Sequence, residues 1–324
     1  MRFGEVPLAA AEGAILAHSV VIPGGRLRKG AVLSAQDLEH LAAAGVDRIT
    51  VAQLQPGDVP ENAAAARLAQ ALCGQGLEVR EAFTGRANLH ATGPGVLRVD
   101  PDAIAAVNAV DPMITVATLP EWQRMEPGTM AATIKIISYA VPETALARAC
   151  EAATGALARA APTVSQADLI VTTLDGAPTG AEAIIARLQR FGVACTVQEV
   201  PHRTEALSQA LARAQAPLRL ILTASATSDP LDVGPAALTE AGGRLTRFGM
   251  PVDPGNLLFL GDLSDACVVG LPGCARSPAL NGADWVLERV ICGVPVTDAD
   301  IAGMGVGGLL KEIPTRPQPR ERRR

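Results

Sequence analysis

Hydrophobic residues are spaced differently in the two halves of the chain. After Pro162, short apolar runs alternate with amphipathic segments, a pattern that predicts strands and helices in turn. The predicted strands are 168–174, 195–200 and 219–224, and the predicted helices are 179–191, 204–214 and 232–241. Such alternation is typical of right-handed β-α-β units and of a parallel sheet covered on both faces. We therefore predict an α/β fold with a three-layer, doubly wound and mostly parallel sheet.

The first half of the chain has no such repeating order. Ser34 is placed to cap a helix over 35–44, and Gly45 follows as the helix stop. Another helix and several β-like runs follow, at 60–72 and at 46–51, 95–99, 114–119 and 133–137. This mixture predicts an N-terminal α+β domain.

An alanine-rich segment separates the two patterns. Residues 143–160 are predicted to be helical, and Pro162 closes that helix. The predicted organisation is an N-terminal domain over 1–142, a helical connector over 143–163, a C-terminal domain over 164–312 and a Pro- and Arg-rich tail over 313–324.

The composition is that of a folded protein with substantial cores. The 324 residues are 48% hydrophobic, and this length predicts about two domains of roughly 150 residues each. The formal charge of −5 is uneven, because residues 316–324 alone carry five Arg and one Glu. A short basic tail on an otherwise acidic chain does not predict nucleic-acid binding. Aromatic residues make up only 2% of the chain, so base stacking is not expected either.

The cysteine pattern and the hydropathy point to a cytoplasmic protein. The six cysteines contain no Cys-x-x-Cys pair, so neither a zinc cluster nor a thioredoxin-like motif is predicted. No apolar run approaches the roughly 18 residues needed to span a bilayer, and the first residues lack the pattern of a signal peptide. We expect reduced thiols, and neither nucleic acid nor a membrane as a partner.

Ligands of parallel α/β sheets bind beyond the carboxyl ends of the strands. That rule selects loops at 175–180, 225–232, 251–256 and 271–277. Two of these loops lie in a stretch over 249–281, where the apolar runs 257–260 and 267–269 join two turn-rich segments. Two neighbouring strands would deliver both loops to one edge of the sheet, which predicts a ligand site there.

This stretch resembles a known family. Residues 249–256 read Gly-Met-Pro-Val-Asp-Pro-Gly-Asn and residues 270–273 read Gly-Leu-Pro-Gly, which resemble the paired Pro-Gly loops of molybdopterin molybdotransferases. Residues 223–237 are similar to a loop of their shared molybdopterin-binding domain, and residues 30–51 resemble a segment that precedes it. The resemblance implies that 164–312 is a molybdopterin-binding domain, whereas over 54–139 it is thin.

The chain also resembles a bacterial group of molybdopterin-binding proteins that are often fused, through a Pro- and Arg-rich linker, to a molybdenum cofactor nucleotidyltransferase. Residues 315–320 look like the start of such a linker. No nucleotidyltransferase follows in this sequence. The resemblance therefore implies a nucleotidyltransferase that is encoded separately or has been lost by truncation.

Three departures from the family pattern bear on chemistry. Ala224 and Ser225 replace the paired glycines of the family's binding loop. The position where the transferases have an acidic residue reads Pro-His-Arg, centred on His202. Cys274 stands where the transferases have an asparagine. These changes favour ligand binding over catalysis.

Molybdopterin combines a pterin, a dithiolene and a terminal phosphate, so its site needs polar groups, anion-binding amides and a carboxylate for magnesium. The residues nominated for binding are Asp175, Thr179, Gly180, Ser225, Thr227, Ser228, Asp229, Asp232, Pro254, Gly255, Asn256, Pro272, Gly273, Cys274, Arg276 and Ser277. Asp232 is also nominated as the magnesium ligand and as the catalytic residue.

Some of these residues have simpler interpretations. Thr179 and Asp232 are both suited to cap the helices that follow them. Cys274 also fits the role of a small buried residue, and His202 that of a polar residue at a strand end. The sequence leaves these alternatives open.

Two function classes follow from the resemblance. In the first, the chain binds molybdopterin or its molybdenum form and presents it to a nucleotidyltransferase or a client molybdoenzyme. In the second, it is a diverged magnesium-dependent molybdotransferase that inserts molybdate into adenylylated molybdopterin. A third hypothesis retains the fold for a different small anionic ligand. By analogy with the transferases, a homodimer is expected.

Overall fold

The computed structural model describes residues 1–174 and 180–312, in which the chain forms two compact units. Unit 1 contains residues 1–92, 97–123 and 127–159. Unit 2 contains residues 93–96, 124–126 and the chain from Ala160 onward. The predicted tail over 313–324 lies outside the described residues.

The first half of the chain is a mixture of small sheets and helices. Its helices are α1 Ala35–Ala43, α2 Glu61–Leu72, α3 Pro101–Val110 and α4 Glu143–Ala153. Its strands are β1 Arg2–Pro7, β2 Ile15–Leu16, β3 Val20–Ile22, β4 Gly25–Leu27, β5 Arg48–Gln53, β6 Asp58–Pro60, β7 Leu77–Val79, β8 Arg86–Ala91, β9 Gly95–Val99, β10 Ile114–Thr118, β11 Arg124–Met125, β12 Met130–Ile136, β13 Ala140–Pro142 and β14 Leu157–Ala160. The sheets are ordered β1-β5-β2, β10-β12-β8-β7, β11-β9-β14, β13-β6 and β3-β4.

The cap predicted for the first helix is confirmed. The side chain of Ser34 accepts a hydrogen bond from the Asp37 N–H, and the Asp37 carboxylate accepts one from the Ser34 N–H, so the two form a capping box. Gly45, with φ of 78°, follows the last turn, where a left-handed conformation suits glycine. Leu41 then packs in a core with Leu16.

Two helices of the first half differ from the prediction. Helix α3 was not predicted, although Asp100 caps it and Pro101 occupies its first turn, a strong start signal. The helix predicted over 143–160 ends at Ala153, because Gly155 adopts a φ of 77° and the chain then enters β14. The segment expected as a connector thus contains a helix and a strand, and α4 packs against α2 and α3 within unit 1.

Unit 2 is built on a six-stranded, mostly parallel sheet. Its strands are β15 Gln166–Thr173, β16 Ala194–Pro201, β17 Leu218–Leu222, β18 Arg244–Phe248, β19 Phe259–Leu263 and β20 Ala266–Leu271, and its helices are α5 Ala181–Gln189, α6 Thr204–Arg213, α7 Val233–Glu240, α8 Gly282–Ile291 and α9 Asp298–Gly303. The spatial order is β16-β15-β17-β20-β19-β18. The strands β16, β15, β17 and β20 are parallel neighbours, and β19 is antiparallel to both β20 and β18.

The predicted alternation of strands and helices after Pro162 is confirmed, and it explains how the core forms. Ile170 of β15 and Ile221 of β17 pack with Leu207 of α6 and Leu238 of α7. The strand residues between them, such as Leu220, are also buried. Because successive side chains of a strand point to opposite faces, residues on both faces of these strands are buried.

Candidate functional site

The loops predicted to bind a ligand begin at one edge of the unit 2 sheet. The loops after β17, β18 and β20 leave the carboxyl ends of strands that point in the same direction. The loop after β15 belongs to the same edge, but Asp175 and Thr179 lie outside the described residues. Gly180 is described, and it precedes α5 with a φ of 95°. The candidate site is this edge.

The loop after β18 approaches the backbone of the segment after β20 closely. The Gly282 N–H donates to the Pro254 carbonyl over 2.8 Å. Gly255 has a φ of 141°, and a Cβ added there would lie 2.7 Å from the Gly282 nitrogen. Only glycine fits both the conformation and the space. The side chain of Asn256, exposed at the surface, donates to the Met250 carbonyl over 3.4 Å.

A buried arginine holds the loop after β20. Arg187 on α5 is 6% exposed, and the sequence analysis did not single it out. Its guanidinium donates to the Asp284 carboxylate at 2.5 Å and to the carbonyls of Ala183, Ala275, Ser277 and Ala279 at 2.8–3.1 Å. All five donor positions of the guanidinium are thereby used. The segment 275–279, which follows the Gly-Leu-Pro-Gly motif, is therefore held by a side chain buried beneath it.

Arg276 joins the loops after β15, β17 and β20. Its Nη2 donates to the Thr223 carbonyl over 2.8 Å. Its stem packs on Gly180, where an added Cβ would lie 2.4 Å from the Arg276 Cγ. Burial lowers the pKa of Arg276. A guanidinium so placed brings a positive charge to this edge.

The loop after β17 is held by its own residues. The Thr223 hydroxyl donates to the Ser225 carbonyl over 2.7 Å and lies 3.2 Å from the Thr227 hydroxyl. Thr227 is 6% exposed, so its hydroxyl faces the loop interior. Ser225 and Ser228 are exposed at the same edge.

The structure shows a capping role for Asp232. Its carboxylate accepts hydrogen bonds from the Val233 N–H at 2.7 Å and from the Ser228 N–H at 3.1 Å. Asp229 closes the turn before it by accepting from the Leu231 N–H over 2.8 Å. Within residues 1–174 and 180–312, no group of three His, Cys, Asp or Glu side chains is placed to hold a metal ion.

The remaining nominated residues lie in the turn after β20. Pro272 is buried, whereas Gly273 and Ser277 are exposed. The Ser277 hydroxyl accepts from the Ala279 N–H over 3.2 Å. Burial raises the pKa of the Cys274 thiol, which opposes the thiolate form that metals prefer.

A carboxyl group is buried below the loop after β20. Glu288 of α8 is 7% exposed, and burial raises its pKa to about 7. Arg124, whose Nη1 lies 3.1 Å from Glu288 Oε1, opposes that rise. Asp284, one turn earlier on α8, adds to it. Arg187, Asp284 and Glu288 are thus buried ionisable groups of α5 and α8.

Two open cavities lie at the other end of the sheet. Their volumes are about 540 and 510 Å³, and both are lined by Arg244, Asp262 and Cys267. These residues lie at the start of β18, the end of β19 and the start of β20, opposite the carboxyl edge. None of the nominated residues that the structure describes lines either cavity.

Comparison with known proteins gives a family-model match and matches to solved structures. A family model described as "Domain of unknown function (DUF8806)" matches residues 5–53. No curated protein sequence matches the chain. The crystal structure of the molybdopterin biosynthesis MoeA protein from Pyrococcus horikosii is 13% identical, with 94% of this chain and 76% of that chain covered and a TM-score of 0.30. Among the described residues, no helix is long and apolar enough to cross a membrane.

Proposed function

We propose that the carboxyl edge of the unit 2 sheet binds molybdopterin, or its molybdenum form, in molybdenum cofactor biosynthesis. The observation that supports this most is the bond from the Gly282 N–H to the Pro254 carbonyl, which brings together the two segments that carry the Pro-Gly motifs. The three-layer arrangement of a molybdopterin-binding domain belongs to the same proposal, as do the domain limits 164–312.

The polar groups of this edge suit a pterin phosphate. Arg276 would bring a positive charge to the phosphate. Ser225, Ser228 and Asn256 are exposed in other loops of the same edge. Small residues such as Gly273 leave room for a flat ring system to approach the backbone. A ligand that uses these groups must carry an anionic group and several hydrogen-bonding atoms.

This edge can bind magnesium only if the bound ligand supplies some of the oxygen ligands. Asp232 already accepts two backbone N–H groups, and a hard cation needs about six oxygen ligands. Phosphate oxygens of the substrate and water would supply the others. We infer that a magnesium ion enters with the phosphate.

The proposed role is to hold the cofactor and pass it to a nucleotidyltransferase or a client molybdoenzyme, with a homodimer as the proposed assembly. The alternative is molybdate insertion into adenylylated molybdopterin. The capping bonds of Asp232 and the histidine at position 202 favour holding over catalysis.

A titration with molybdopterin tests the proposal. The purified chain should bind it, and the double variant Asp232→Ala with Arg276→Ala should lose most of that binding. The matched control is Arg244→Ala with Asp262→Ala, which removes an exposed Arg-Asp pair at the opposite end of the sheet. No binding by the unaltered chain, or equal binding by both double variants, would contradict the proposal.

The enzymatic alternative has its own test. The chain is incubated with adenylylated molybdopterin, molybdate and magnesium, and the released adenylate is measured. We expect ligand binding without release. Magnesium-dependent release with molybdenum retained on the pterin would establish the transferase instead.

A further inference from the structure

A chain of hydrogen bonds crosses three adjacent strands at the candidate site. Thr172 lies near the end of β15, and its hydroxyl is 2.8 Å from Nδ1 of His202, which follows β16. The same hydroxyl accepts from the Ala224 N–H, after β17, over 2.8 Å. Because β16, β15 and β17 are neighbours in the sheet, one hydroxyl couples the histidine to the start of the Ser225 loop.

The chemistry of a hydroxyl fixes the tautomer of the histidine. Thr172 is 2% exposed, so its single O–H proton needs a partner inside the protein. The bond from Ala224 can only be accepted by the oxygen, because a backbone N–H is a donor. The proton is satisfied when it is donated to Nδ1 of His202. That leaves the imidazole with its hydrogen on Nε2.

The Nε2 atom of His202 is directed away from this network. His202 is half-buried at the carboxyl end of β16, and its N–H donates to the Thr173 carbonyl at the end of β15. Within residues 1–174 and 180–312, Nδ1 is engaged by Thr172 and no hydrogen bond involves Nε2. His202 therefore offers an uncharged Nε2–H donor at this edge, and its bond to Thr172 sets the orientation of the ring.

We propose that His202 is a specificity-determining residue of the ligand site, which donates its Nε2–H to an oxygen atom of molybdopterin, and that Thr172 is the residue that positions it. This inference rests on the proposed function. An uncharged N–H donor at the position of His202 favours binding of a carbonyl or phosphate oxygen. A carboxylate there would repel the same oxygen unless a cation came between them.

The tautomer is tested first, without any ligand. Long-range ¹H–¹⁵N correlation spectra distinguish protonated from unprotonated ring nitrogens in each of the four histidines, and His202→Gln assigns the signal. We expect the Nε2–H form in the unaltered chain and in Thr172→Ser, and a mixture of tautomers in Thr172→Val. A predominant Nδ1–H form in the unaltered chain would overturn the inference.

Molybdopterin binding is then compared among variants of His202. Gln retains an N–H donor near the place of Nε2, Leu removes it, and Asp replaces it with an acceptor. Relative to the unaltered chain, we expect Kd to rise by less than about threefold for His202→Gln, about five- to tenfold for His202→Leu and more than about tenfold for His202→Asp. His40→Gln on the exposed face of α1 is the control and should bind normally.

The outcomes separate this inference from the proposed function. If the unaltered chain binds molybdopterin but its His202 ring signals do not move and His202→Leu binds equally well, the inference fails while the proposed function stands. If the unaltered chain binds no molybdopterin, both fail. A shift of the Nε2 signal on binding, with the order Gln, Leu, Asp in increasing Kd, supports both.

Discussion

The two sides of the candidate site are held in place in different ways. The loops after β18 and β20 are supported from behind, by the buried guanidinium of Arg187 and by the close approach of Gly255 to Gly282. The loop after β17 is held mainly by residues of its own, above all Thr223 and Asp232, with further bonds from Thr172 of β15 and from Arg276. One side depends on a buried side chain and close backbone packing, and the other depends mainly on hydrogen bonds within the loop.

The two sides also differ in how much room their residues have. In the loops after β18 and β20, the supported loops, Gly255 cannot be replaced, because its Cβ position is filled by the Gly282 backbone, whereas a Cβ at Gly273 would meet only the Arg276 side chain at 3.9 Å. The locally held loop, which follows β17, carries the exposed residues Ala224 and Ser225. A loop whose shape depends on its own side chains can exchange residues without disturbing the rest of the unit.

The largest predicted loss of stability follows from removing Arg187, which supports the loop after β20. Arg187→Leu leaves Asp284 buried without its partner and three loop carbonyls without donors. We expect the free energy of unfolding to fall by about 3–5 kcal/mol. Urea unfolding followed by circular dichroism measures it.

Two further variants sharpen this test. Arg187→Lys keeps the charge but loses the planar fork, and should cost about 1–3 kcal/mol. Arg213→Leu, at an exposed position on α6, should change stability by less than about 0.5 kcal/mol. A loss below about 1 kcal/mol for Arg187→Leu would show that the loop does not depend on this side chain.

The close approach of Gly255 is the next target. Gly255→Ala forces an unfavourable φ and a clash with Gly282, so we expect a loss of about 2–4 kcal/mol in unfolding free energy and weaker molybdopterin binding. Gly242→Ala is the matched control, since its φ is 88° but an added Cβ meets nothing within 4 Å. It should cost about 1–2 kcal/mol. Equal losses of unfolding free energy in the two variants would mean that the structure relieves the clash with Gly282 at little cost.

Glu288 gives the supported side a pH dependence. Its folded-state pKa of about 7 lies above its ordinary value of 4.5, because burial disfavours the charged form. The contribution to stability is fully present below about pH 4.5 and is lost as the pH rises through about 7, a loss of about 3 kcal/mol. In Glu288→Gln this decline should disappear from the pH profile of the unfolding free energy. The exposed Glu240→Gln should keep it, and a decline that persists in Glu288→Gln would assign it to other groups.

Much of unit 2 could be predicted because its strands and helices obey local rules. β15 and β17 are apolar runs, and the helices between strands have regular amphipathic spacing. β18 was missed because Arg244 and Arg247 interrupt its apolar pattern, as is common in an edge strand. The signal for α3 was present in Asp100 and Pro101 but lay among β-like runs.

The site could be predicted as a set of loops but not as a set of contacts. The loops follow from where parallel strands end, which the sequence indicates. Arg187 could not be identified, because the carbonyls of Ala275 and Ser277 that it holds lie 88 and 90 residues further along the chain. The pairing of Thr172 with His202 likewise depends on the order of strands in the sheet, which no local pattern contains.

The smallest expected effect separates the two interpretations of Asp232 on the locally held side. Asp232→Ala removes an N-cap from α7 and should cost about 1 kcal/mol. Asp37→Ala removes a carboxylate from the capping box of α1 in unit 1 and should cost a similar amount. If Asp232 also contacts the ligand or its magnesium, molybdopterin binding at a temperature where both variants are folded should weaken only in Asp232→Ala. Equal binding by the two variants would leave Asp232 as a cap, and the binding function would then depend on Arg276 and the supported loops.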